Sequence, residues 1–139
     1  MITKKTEYAI RALWELAHNP NGQTTANQIA QRQSIPPKYL PQIISELTRT
    51  GLVISSRGFG GGLRIGRDAR EVSLLDIIEA VQGKLHLFEC QISDIDCVQL
   101  PGCDLRQTYN KAQAALESVF RQSRLADLKL GGVTGSKRG

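Results

Sequence analysis

The chain has 139 residues, 40% of them hydrophobic and 22% charged, and a formal net charge of +5. A chain of this size buries roughly two thirds of its unfolded surface and folds without disulfide staples. No apolar run approaches the ~18 to 20 residues of a membrane span. The opening Met1-Ile2-Thr3-Lys4-Lys5-Thr6-Glu7 leads into an amphipathic segment and not a signal-peptide core, so a cytoplasmic protein is expected. The charge divides unevenly: residues 1–70 carry ten Lys/Arg against four Asp/Glu, and residues 71–139 carry eight against nine. A basic half beside a near-neutral one suits a face turned to a polyanion, although a merely well-solvated surface gives the same count.

Residues 4–18 read as a helix, with Ala9, Ala12, Leu13, Leu16 and Ala17 on one face and Lys5, Glu7, Arg11 and Glu15 mostly on the other. Asn19-Pro20-Asn21-Gly22 ends it. A short helix over 25–33 follows, with Thr25 as N-cap, Gln28 at the capping-box position, and Ala26, Ile29 and Ala30 inward. After the Ser34-Ile35-Pro36-Pro37 break, a third helix runs to about Thr50 on the stripe Leu40, Ile43, Ile44 and Leu47, and Gly51 stands where a C-cap glycine belongs. Pro41 near its start forfeits one early backbone hydrogen bond. Residues 52–56 and 63–65 read as strands around a glycine-rich tip, Arg57 to Gly62. Ser73, with Asp76 at the capping-box position, opens a helix that Gly83 closes. Residues 84–103 have little periodicity, and a long helix over about 104–124 carries Leu105, Tyr109, Ala112, Leu116, Val119 and Phe120 on one face. The last nine residues read as a disordered basic tail.

The expected architecture is mainly α with a small β-hairpin: a winged helix-turn-helix over 1–70, then a sensor loop and dimerisation helix over 71–130. At the start of the third helix Lys38, Tyr39 and Gln42 face away from the apolar stripe. Gln42 suits bidentate pairing with adenine, Lys38 suits guanine or phosphate, and Tyr39 suits phosphate or a thymine methyl, although a solvated surface would account for any one of them. Glycine gives close backbone approach and positive φ, so Gly58 and Gly60 let the hairpin tip enter a narrow groove with Arg57 leading. A nucleotide-binding loop would need to run from strand to helix, and this one runs into Leu63-Arg64-Ile65, read as a strand. Cys90, Cys97 and Cys103 are spaced Cys-x6-Cys-x5-Cys, an odd number that argues against a disulfide framework. Three thiolates on one loop can wrap a soft metal or an iron–sulfur cluster, while structural zinc favours a tighter pair. Spacing alone leaves open three unrelated cysteines.

Five stretches together carry a resemblance over about residues 1–125. They are Glu7-Tyr8-Ala9-Ile10-Arg11-Ala12-Leu13, Ile35-Pro36-Pro37-Lys38-Tyr39-Leu40, Gly51-Leu52-Val53, Ser56-Arg57-Gly58-Phe59-Gly60-Gly61-Gly62 and Val72-Ser73-Leu74-Leu75-Asp76-Ile77-Ile78. The sequence resembles the Rrf2 family of bacterial winged-helix regulators, which includes the IscR, NsrR and CymR types. The resemblance implies a homodimer packed through the C-terminal helices and bound to a near-palindromic double-stranded DNA operator. It also implies an iron–sulfur cluster, [2Fe–2S] or [4Fe–4S], on Cys90, Cys97 and Cys103. IscR-like members place a histidine where this chain has Arg106, and a glutamate where it has Pro41. NsrR-like members use an acidic residue at the position of Glu7, donated by the other subunit, so Glu7 is the expected fourth ligand. A helix-start carboxylate favoured by the macrodipole explains a glutamate there equally well. The alternative within the family is a cluster-free regulator whose signal is cysteine redox chemistry or a protein partner, as in CymR-like members. No catalytic grouping points to an enzyme.

Overall fold

Thr3 caps the first helix, α1 (Lys4–Ala17), by accepting the Thr6 N–H at 3.1 Å, and Gln82 clamps the same end by accepting from Thr3 N and Thr6 Oγ1. The computed structural model describes residues 1–57, 61–87 and 104–130. Gly22, at φ +77°, turns the chain toward α2 (Ala26–Gln33), whose expected capping box between Thr25 and Gln28 is present. Ser34 adopts a left-handed φ of +55° at the turn of the helix-turn-helix. The next element departs from the single helix read in the sequence: a 3-10 turn over Pro37–Tyr39 precedes α3 (Leu40–Arg49). Pro41 has no N–H to give the Pro37 carbonyl, which Leu40 N–H takes instead, so an α-helical pattern cannot begin earlier. Because Pro41 lies in the first two positions of α3, the helix loses nothing by it.

Gly51, at φ +84°, releases α3 into β1 (Val53–Ser56), which pairs antiparallel with β2 (Gly62–Ile65) in the register Val53↔Ile65 to Ser56↔Gly62. The segment ahead of α2 joins this hairpin as a third edge: Thr24 N–H donates to Leu63 O at 2.9 Å and Leu63 N–H to Thr24 O at 2.7 Å. Glycine is required for this packing. A Cβ on Gly62 would lie 2.8 Å from Thr24 O, and one on Gly61 2.5 Å from Ser56 O. These two glycines therefore let the hairpin fold against its own chain.

α4 (Leu74–Gln82) has the expected Ser73–Asp76 capping box and ends at Gly83, φ +82°. α5 (Asp104–Gln122) follows, and a 3-10 turn, Leu125–Asp127, closes the described chain. One core joins both halves: Leu13, Ile29, Ile43, Leu47, Val72 and Ile77 are fully buried in the same cluster. α5 contributes no buried residue of its own. Leu125, just beyond it, is fully buried, held by Leu125 N–H to Val72 O (2.8 Å) and Leu74 N–H to Ser123 O (2.9 Å). Trp14 Nε1 donates to Leu128 O at 2.9 Å, tying the stretch beyond α5 to α1, and its ring stacks on His18 at 4.3 Å.

Glu15 corrects the amphipathic reading of α1, because it is buried. Its carboxylate accepts from Gln33 Nε2 at 2.8 Å and pairs with Arg32 at 3.0 Å, fastening α1 to the end of α2. Glu15→Ala would leave the buried Gln33 amide without its acceptor, at a cost of about 2 to 3 kcal/mol. Glu15→Gln keeps one acceptor and should lose visibly less in urea denaturation.

Candidate nucleic-acid interface

Lys38 and Tyr39 sit in the 3-10 turn and only Gln42 on α3 itself, where it is exposed. Lys38 is exposed, its Nζ 5.5 Å from the centre of the Tyr39 ring. Tyr39 is half-buried, and its ring meets that of Tyr8 at 5.0 Å and 56°. Tyr8 in turn lies under Arg11 at 5.4 Å and Lys4 at 5.8 Å. A pair of aromatic rings flanked by cations thus ties the start of α1 to the turn that presents Lys38. Sequence periodicity gave no sign of this pairing, since Tyr8 and Tyr39 belong to different helical patterns.

Several cations of the basic half are already answered. Lys5 pairs with Glu46 at 3.2 Å, Arg32 with Glu15, and Arg70 with Asp68 at 2.7 Å. Hydrogen bonds from the Arg70 side chain and N–H hold the Asp68 carboxyl down at about 2, so that pair stays ionised at neutral pH. Lys38, Arg49, Arg57 and Arg64 are exposed and have no carboxylate partner among the described residues. Between α2, α3 and the hairpin lies an open groove of about 400 Å³, with Leu40, Ile44 and Leu63 at its apolar base and Asn27, Ser55 and Ser56 at its exposed edge.

Glu7 occupies the first turn of α1 with its side chain 55% exposed and Lys4 Nζ 4.0 Å away. Gly58, Gly60, Cys90, Cys97 and Cys103 lie outside the described residues, as does the tail from 131 onward. Among the described residues no group of three or more His, Cys, Asp or Glu side chains could hold a metal. The chain entering the cysteine segment is seated on α5: Gln113 Nε2 donates to Leu85 O (2.6 Å) and its Oε1 accepts from Leu87 N–H (3.1 Å). Glu117 steadies that amide at 2.7 Å, and the Gln113 hydrogen bond, with help from Lys84, holds the Glu117 carboxyl below its ordinary range. No helix among the described residues is long and apolar enough to cross a membrane.

A helix-turn-helix with Lys38 and Gln42 exposed where α3 begins, followed directly by a two-stranded hairpin, defines the winged-helix class of DNA-binding regulators. Over residues 2–129 the chain matches the family model Rrf2, described as an iron-dependent transcriptional regulator, and it belongs to that family. It is 33% identical over 128 residues to protein aau3 of Rhizobium meliloti (strain 1021), covering 91% of this chain and 83% of that one. It is 31% identical over 129 residues to the HTH-type transcriptional regulator NsrR of Bacillus subtilis (strain 168), covering 91% and 88%. Among solved structures, T. potens IscR is similar at a TM-score of 0.73 and 29% identity, over 91% of this chain and 84% of that chain. CymR, the global cysteine regulator of B. subtilis, gives 0.73 at 27% identity, over 91% and 94%.

Proposed function

We propose that this transcriptional regulator is a cytoplasmic homodimer whose affinity for a near-palindromic operator is set by an iron–sulfur cluster, [2Fe–2S] or [4Fe–4S]. The observation that carries the DNA-binding half is the exposed Lys38 and Gln42, neither with a carboxylate partner among the described residues, beside a hairpin that begins its tip at Arg57. Lys38 and Gln42 read the major groove while Arg57, with Gly58 and Gly60, enters the minor groove. Support for the dimer comes from α5, on which Leu105 is 54% and Val119 60% exposed; a second α5 would cover them.

Cys90, Cys97 and Cys103, with Glu7 of the partner subunit, would hold the cluster. Three thiolates and a carboxylate are suitable iron donors, and Glu7 is half exposed with Lys4 Nζ 4.0 Å away. When bound, the cluster supplies a redox-sensitive cross-link between that segment and the partner's first helix. The chain's own residues carry the rest. Gln113 anchors one end of the segment to α5, Asp104 begins α5 at the other, and the Tyr8–Tyr39 contact links α1 to Lys38. A coupling of ~1 to 3 kcal/mol along such a route changes operator affinity roughly 5- to 150-fold.

The test is an anaerobic visible spectrum with iron and sulfide counts on the freshly purified full chain. Cluster absorbance with matching counts is expected. Cys97→Ala should abolish it, and Glu7→Ala should shorten its lifetime at an unchanged melting temperature. A colourless protein after reconstitution would instead favour cysteine redox chemistry or a protein partner as the signal, a reading supported by the equal likeness to CymR.

A further inference from the structure

We infer that Gln82 and Gln113 are positioning residues of a single latch, which couples the entrance of the cysteine segment to the start of α1 within one chain. This coupling does not depend on what the cysteines bind. Two short segments carry it. Ahead of α1, Gln82 Nε2 donates to Met1 O at 2.9 Å and Gln82 Oε1 accepts from Thr3 N–H at 3.1 Å. Ahead of the cysteines, Gln113 Nε2 donates to Leu85 O at 2.6 Å and its Oε1 accepts from Leu87 N–H at 3.1 Å. Both glutamines therefore bracket the carbonyl of one residue and the N–H two residues on. One residue of a parallel neighbouring strand would make the same pair of bonds, so each amide stands in for a strand and pins a three-residue strap.

The straps are not independent. Ile2 of the first, Leu85 and Leu87 of the second, and Leu116 and Phe120 of α5 close around one apolar cavity of about 40 Å³. Apolar walls give a water molecule nothing to bond, so water enters only when a strap lifts. Lifting either strap wets apolar surface that the other also covers, and the second then opens at lower cost than the first. The backbone joins them as well. Gln82 is the last residue of α4, and only Gly83 and Lys84 separate it from Leu85. Lys84 pairs with Glu117 at 3.3 Å, and Glu117 accepts from Gln113 at 2.7 Å, so α5 grips the second strap by its charged start and by its backbone. On the other side, Gln82 Oε1 also accepts from the buried Thr6 Oγ1 at 2.6 Å, in the turn of α1 that carries Glu7 and Tyr8. A disturbance arriving at Leu87 is thereby passed to Tyr8, and through its ring to Tyr39.

Coupling is reciprocal, and reciprocity separates one latch from two local fastenings. The experiment measures backbone amide order parameters at Thr3 and Leu87 in the full chain, in parent, Gln82→Met and Gln113→Met. Methionine keeps the length of the side chain and removes both hydrogen-bonding atoms. In the parent both amides should lie near the rigid value of about 0.85. In either variant both should fall below about 0.6, including the strap whose own glutamine is intact. The amides of α2 should keep their parental values. A strap that stays ordered in either variant would overturn the inference, as would a parent already mobile at either strap. A loss of order shared with α2 would overturn it too, since it would mark general loosening. Neither metal nor DNA is added, so the proposed function can fail without affecting the outcome.

Discussion

Replacing Lys38 and Arg57 together by alanine should weaken operator binding about 100-fold or more and flatten its logarithmic salt slope by nearly two. Each is an exposed cation with no carboxylate partner among the described residues, so removing it should cost the folded chain little beyond the Lys38–Tyr39 ring contact and, on the proposed reading, cost the complex a full contact. A good base or phosphate contact is worth ~1 to 3 kcal/mol, and each phosphate neutralised contributes about 0.9 to the slope. Arg70→Ala is the internal control: its charge is already spent on Asp68 at 2.7 Å, and it should move neither quantity appreciably. Fluorescence anisotropy over a salt series, with mass measurement to verify the oligomer, decides the matter. A parental slope in the Lys38/Arg57 variant would place the DNA face elsewhere.

Gly66→Ala should be among the most damaging single-methyl changes in the protein. A Cβ at Gly66 would stand 2.2 Å from the Gly51 carbonyl oxygen and 3.3 Å from Ile54 Cγ1. The obstacle is backbone, held by the left-handed Gly51 at φ +84°, so no side-chain rotation relieves it. Gly66 N–H also donates to Leu52 O at 2.9 Å, the bond that closes the base of the hairpin. Forcing the two turns apart should cost about 3 kcal/mol, as severe overpacking does. For a chain of this length that lowers the melting temperature by roughly 6 to 12 °C. The hairpin would move with it, so DNA affinity should fall alongside stability; a parental thermal transition would show that the base of the wing yields more easily than its geometry allows.

What could be read in the sequence was what neighbouring residues decide among themselves. The Thr25–Gln28 and Ser73–Asp76 boxes, the glycines at 51 and 83 and the two paired strands are local, and each is found where it was expected. Features set by residues far apart in sequence were not legible. Glu15 looked like a surface charge because its partners, Arg32 and Gln33, belong to another helix. Leu125, just past the helix expected over 104–124, is fully buried because it pairs with Val72 across the fold. The start of the third helix is set by a local feature visible in the sequence: Pro41 withholds the N–H that an earlier α-helical start would need, and a 3-10 turn takes its place. Of the expected site, Lys38, Gln42 and Arg57 are exposed and Tyr39 is half turned into α1, and the cysteines lie outside the described residues.

Trp14 is the single tryptophan of the chain, and its indole N–H is bonded to the Leu128 carbonyl just beyond the long helix. That contact makes the protein its own optical probe. Indole emission responds to the loss of a hydrogen bond and to the entry of water, so any event that lifts the end of α5 away from α1 should shift the fluorescence to the red. Excitation near the indole band would then follow assembly, operator binding and thiol chemistry on one unlabelled sample, with the changes assigned to a single, known joint between α1 and the stretch beyond α5.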